Sequence, residues 1–151
     1  MSVISSGVTV SADSGAGMVA QIVMEGQDYR IDESGMPTGE KNGPDPNDYI
    51  LSALGACTVI TLHMYASRKQ WPLERAEVQL RHEFVEVVNA PGMPAGKTKK
   101  MLIHKHLRLF GSLTPEQRLR LEDISSRCPI QRTLEAGVIV ETIVGSMPPQ
   151  A

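Results

Sequence analysis

The order of elements predicts an α+β fold with a largely antiparallel sheet. Stretches whose side chains alternate with period two lie on both sides of one long apolar run, and a capped helical segment follows the second set. The long run is residues 43–70, GPDPNDYILSALGACTVITLHMYASRKQ, in which Ser52, Thr58, Thr61 and His63 are the polar side chains between Tyr49 and Ala66. Pro-Asp-Pro-Asn punctuates its start and Trp71-Pro72 its end, so the spacing predicts a helix over about 46–70. A helix apolar on nearly every face is wrapped by other elements rather than laid on a surface. Covering it takes more than one small sheet, which points to a second copy of the chain. It is short for a membrane span and runs directly into Arg68 and Lys69.

The N-terminal strands occupy residues 1–33. Val8 and Val10 fit a short strand, and residues 11–17 read as a loop. Residues 18–24 form a second strand that Glu25-Gly26-Gln27 turns back into residues 29–32, a hairpin. A Gly-, Pro-, Asn- and Asp-rich loop then leads to the central helix. Within a strand pair spanning 76–110, residues 76–88 alternate, with Val78, Leu80 and Phe84 on one face and Glu77, Gln79, Arg81 and Glu83 on the other. Residues 100–110 alternate again, with Met101, Ile103, Leu107 and Leu109 together, and the two strands should pair across a wide loop. Thr114-Pro115-Glu116-Gln117 has the form of a capping box with proline at the first helical position. The helix it opens carries Leu121, Ile124 and Cys128 along one stripe. Cys128-Pro129 breaks that helix and opens a second one ending at Gly137, and residues 138–144 read as a closing strand. No linker divides the 151 residues, so a single domain is expected.

Composition narrows the function. A net charge of −2 and 4% aromatic residues give no basis for nucleic-acid binding. No signal peptide is evident at the N-terminus, no glycine-rich phosphate loop is present, and no cofactor motif stands out. Two cysteines do not make a disulfide scaffold, which suits a reducing cytoplasm in which each thiol is either inert packing or reactive.

Three stretches together resemble the OsmC/Ohr superfamily of thiol-dependent hydroperoxide reductases, and its OsmC-like branch most. They are GPDPNDYILSALGACTVITLHMYASRKQWPL, the alternating strand pair with LFGSLTPEQRLRLEDI, and RCPIQRTL, covering roughly residues 43–144. The resemblance implies an OsmC-like fold, antiparallel sheets wrapped around a long central buried helix, in an intertwined homodimer with active sites at the subunit interface. It implies Cys57 as the peroxidatic cysteine and Cys128 as the resolving one. It also implies an arginine from the N-terminal strands and a carboxylate just before the Cys helix, which together hold the thiolate. Arg30 is the one arginine ahead of the helix, and it could instead be an exposed hairpin charge paired with Asp32 or Glu33. The carboxylate position falls on Asp48 or, in the alternative alignment, on Asn47.

Residue chemistry is compatible with that assignment and leaves alternatives open. A thiolate breaks a peroxide O–O bond, the resulting sulfenic acid is captured by a second thiol, and an external thiol or dithiol reductant restores the pair. Either cysteine could equally be a small buried hydrophobe. On local electrostatics the helix start at Cys128 favours an anion more than mid-helix Cys57 does; the resemblance assigns the attack to Cys57. Ile50, Leu54, Ile60, Met64 and Met101 could form an apolar pocket suited to alkyl hydroperoxides, or could be plain core. His104 and His106 share a strand face, and His82 on the partner strand might join them around a metal, although a solvated polar face is the better account and no metal is expected. His63 is offset from Cys57, which disfavours direct activation within one chain and leaves open a contact with the other chain's site. The sequence therefore supports a hydroperoxide-reducing enzyme first, and a non-catalytic binding module for a small apolar ligand second.

Overall fold

A computed structural model describes residues 7–145. Eight regular elements succeed one another: β1 (Val8–Ser11), β2 (Val19–Met24), β3 (Gln27–Asp32), α1 (Pro46–Lys69), β4 (Arg75–Val88), β5 (Lys97–Phe110), α2 (Pro115–Ser125) and α3 (Pro129–Ala136). Short 3-10 turns occupy Ser14–Ala16 and Met36–Thr38. The described residues form two compact units, the first comprising those up to Ile50 together with those from Ile139 and the second Leu51–Val138.

In the first unit β1, β2 and β3 form an antiparallel meander in that spatial order. The β2–β3 turn is two residues long, and both Glu25 (φ 47°) and Gly26 (φ 73°) are left-handed. Positive φ at both central residues matches the right-handed twist of the flanking strands, which is why glycine is useful there. At the start of α1, Asp45 and Asp48 cap reciprocally. The Asp48 N–H donates to the Asp45 carboxylate and the Asp45 N–H to the Asp48 carboxylate, each at 2.9 Å. Two orphan donors of the first turn are thereby satisfied.

The second unit holds the core. β4 and β5 pair antiparallel over their whole length, from Arg75 opposite Phe110 to Val88 opposite Lys97. α1 buries Leu51, Leu54, Gly55, Thr58, Leu62 and Ala66, a stripe at helical spacing. Gly55 lets the helix approach β4 closely, since a Cβ there would stand 2.8 Å from Leu80 Cδ1 and 3.4 Å from Val78 Cγ1. Leu62 and Ala66 join Leu121 and Ile124 of α2 in one cluster, with Trp71, Leu107 and Leu109 packed around it. α2 begins with the full capping box: Gln117 N–H donates to the Thr114 hydroxyl, and the Thr114 N–H donates to the Gln117 side chain. α1 is long and apolar enough to cross a membrane by length and composition; in this unit its buried stripe is the centre of the core.

One expectation changes. Residues 138–144 form no strand; Ile139 is fully exposed and Val144 nearly so. β-branched residues supply strand propensity, but a strand exists only where another pairs with it. Phe84 has the inward parity of Val78 and Leu80, yet it is 58% exposed, because it lies towards the loop end of the hairpin, opposite Met101. His82 cannot join His104 and His106. It stands opposite Ile103, whereas His104 and His106 stand opposite Arg81 and Gln79 on the other face. His82 makes an edge contact with the Phe84 ring, and His104 pairs with Glu83 at 2.8 Å. Among the described residues no three His, Cys, Asp or Glu side chains come together to hold a metal.

Candidate active site

Cys128 is fully buried and is the N-cap of α3. Its backbone is extended, Pro129 follows at the first helical position, and its Sγ accepts the Gln131 N–H at 3.3 Å. A sulfur thus takes the place usually filled by a serine or aspartate oxygen. Facing it is α1. Thr58, fully buried, presents Oγ1 3.8 Å from Cys128 Sγ and also donates that hydroxyl to Leu54 O at 2.8 Å. Thr58 follows Cys57 in the chain, so the fold sets Cys128 against the residue beside the first cysteine.

Cys57 itself is half-buried. It shares a stripe of α1 with Ala53, Ile60 and Met64, which recur at helical spacing and are exposed. Ile60 and Met64 thus accompany Cys57 as expected. Leu54 does not, because it turns into the core.

A cation, Lys105 on β5, is held against Thr58 and the start of α3. Its Nζ donates to Gln131 Oε1 at 2.7 Å, to Ser125 O at 2.8 Å and to Thr58 Oγ1 at 3.3 Å. Three acceptors match the three N–H donors of an ammonium. Burial pulls its pKa below the usual lysine value, against the opposing pull of Cys128, Cys57 and Glu135, in that order. Glu135 connects through Gln131, whose Nε2 donates to it at 2.8 Å. Sequence reasoning missed Lys105. The signal was present: it has the parity of Met101, Ile103, Leu107 and Leu109, a lone cation in an otherwise apolar inward row.

Arg30 and Asp48 belong to the first unit. Arg30 pairs with Asp32 at 2.7 Å and its side chain is largely exposed. Hydrogen bonds from Ser34, then from Arg30, hold the Asp32 carboxyl far below the usual carboxylate range. Asp48 caps α1 and accepts from Lys41 Nζ at 2.6 Å.

The OsmC-like protein family model matches residues 39–143, which include both cysteines and every element that surrounds them. The chain belongs to the OsmC-like family. The resemblance noted in the sequence holds, and so does the α+β, antiparallel fold class. No curated protein matches the chain. Solved structures share this OsmC-like fold at low identity. The OsmC-like protein of Mycoplasma pneumoniae is 17% identical, with a TM-score of 0.62 over 87% of each chain. An organic hydroperoxide resistance protein OsmC from Legionella pneumophila is 14% identical, with a TM-score of 0.61 over 87% of this chain and 90% of that one. The organic hydroperoxide resistance protein OhrB of Bacillus subtilis is 14% identical, with a TM-score of 0.53 over 85% and 89%.

Proposed function

We propose that this OsmC-like protein reduces organic hydroperoxides through a Cys57–Cys128 thiol/disulfide cycle, as a peroxide-defence enzyme. The observation that carries the reading is the burial of Cys128 against Thr58, the neighbour of Cys57, with the Lys105 ammonium hydrogen-bonded to that Thr58 hydroxyl. Family membership and the names of the Legionella and Bacillus proteins support it. The half-buried sulfur attacks: Cys57 thiolate takes the distal peroxide oxygen, the O–O bond breaks, and the alkoxide leaves as an alcohol after gaining a proton. Ile60 and Met64 on the same stripe favour an alkyl substituent over hydrogen peroxide. An external thiol or dithiol then reduces the disulfide, a cycle suited to a reducing cytoplasm.

Arg30 and Asp48 are the arginine and carboxylate that the family resemblance implies. To act, Arg30 would first have to leave Asp32, and an exposed ion pair is weakly held. The working unit in this reading is an intertwined homodimer. The apolar stripe of α1 and the exposed residues 138–144 are surfaces that a second copy would cover.

The test is consumption of tert-butyl hydroperoxide with a dithiol reductant. Wild type should turn over and, with one equivalent of peroxide and no reductant, should show an intramolecular Cys57–Cys128 disulfide by mass spectrometry. Cys57→Ser should lose turnover; retained activity overturns the proposal.

A further inference from the structure

We infer that Lys105, acting through the Thr58 hydroxyl, is a positioning residue for the second half of the cycle, in which it readies Cys128 to capture oxidised Cys57. The inference rests on the two-cysteine reading above and assigns a separate step to a residue other than Arg30 and Asp48.

The geometry is directional. Thr58 has one hydrogen and, at Oγ1, lone pairs facing both Lys105 and Cys128. While Cys128 is a thiol, its S–H can point at Oγ1 and the Thr58 hydrogen stays on Leu54 O at 2.8 Å. Once Cys128 loses its proton, the hydroxyl can turn to donate to the sulfur. The Lys105 N–H entering its oxygen polarises it for that role. The Gln131 N–H, already on Sγ at 3.3 Å, supplies a second donor. The ammonium is itself fixed by Ser125 O and Gln131 Oε1, on either side of Cys128 in sequence, so it reports directly on where that cysteine sits.

The step balances without any added reagent. Cys128 S–H gives up its proton, and its sulfur attacks the sulfenic sulfur of Cys57. The S–S bond forms as the S–O bond breaks, and the departing hydroxide takes up a proton and leaves as water. Oxidised Cys57 is reduced to the disulfide level while Cys128 is oxidised to it. Lys105 remains an ammonium throughout.

The experiment is single-turnover stopped flow with one equivalent of tert-butyl hydroperoxide. Peroxide loss is followed separately from disulfide formation, and Cys57 sulfenic acid is trapped with dimedone. In Lys105→Met, disulfide formation should slow by about tenfold or more, the worth of a hydrogen bond to a charged group, and by clearly more than peroxide loss does. Dimedone adduct at Cys57 should accumulate. Lys105→Arg, which keeps the cation, should recover most of the rate, whereas a purely structural role would slow both steps or track thermal stability. Thr58→Val, matched in shape, should show the same selective defect and serves where Lys105→Met fails to fold. Unchanged resolution in both Lys105→Met and Thr58→Val, or equal slowing of both steps, overturns the inference while the two-cysteine cycle stands. Loss of the disulfide from wild type itself would instead remove the cycle.

Discussion

Thr58 Oγ1 and Cys128 Sγ lie 3.8 Å apart although seventy positions separate them in the chain. Packing alone brings them together: α1 is seated on the hairpin at Gly55 and on α2 through Leu62 and Ala66, and α3 starts where α2 ends.

Cys128→Ser keeps an N-cap oxygen and removes the capturing thiol. It should consume one equivalent of hydroperoxide per chain, leave Cys57 as a dimedone-reactive sulfenic acid and form no intramolecular disulfide. Intact-mass measurement checks it.

Leu121 is fully buried at the α1–α2 contact. Leu121→Ala should lower the unfolding free energy by about 2–5 kcal/mol, read from urea titration, through lost burial and the cavity left behind.

Gly55→Val should destabilise by about 1–3 kcal/mol, because its Cβ and methyl groups meet Leu80 and Val78 with little room to retreat. Gly55→Ala should cost less, since the gain in helix propensity offsets part of the contact and the Leu80 methyl end can rotate. Urea midpoints of the two variants give the comparison.

Lys105 is held below its usual pKa, chiefly by burial. The folded protein releases that proton earlier than the unfolded chain, so from the depressed value up to the ordinary 10.5 the unfolded state binds more protons and stability gains with rising pH. The charges that oppose this lowering come from Cys128, Cys57 and Glu135. In that alkaline window the wild-type urea midpoint should rise relative to that of Lys105→Met; a flat difference between the two would contradict the burial.

Ile60 and Met64 are 58% and 59% exposed on the stripe that carries Cys57. Ile60→Glu should shift the protein from dimer to monomer in analytical ultracentrifugation and reduce peroxidase activity with it. A monomeric wild type would remove the proposed shared interface.

Most of the second unit was legible from sequence because its signals are local. The apolar run between Pro46 and Lys69, the Thr114–Gln117 capping box and the Cys128-Pro129 helix start each encode their own geometry. Lys105 was hidden because a period-two pattern was scored by its apolar members, and the exception to the row was passed over. Whether His82 shares a face with His104 and His106 was not legible, because adjacency of two strands says nothing of register, and one step of register changes the face. The 138–144 segment failed for the opposite reason: its composition is right, but pairing is a property of two strands.

Cys128 Sγ has two roles at once, one in the proposed cycle and one as the acceptor of the Gln131 N–H that caps α3. Oxidation withdraws electron density from the atom that closes the first turn of that helix. Amide exchange at Gln131 should therefore quicken in the oxidised protein, so the fraying of one short helix becomes a meter of the redox state at its threshold.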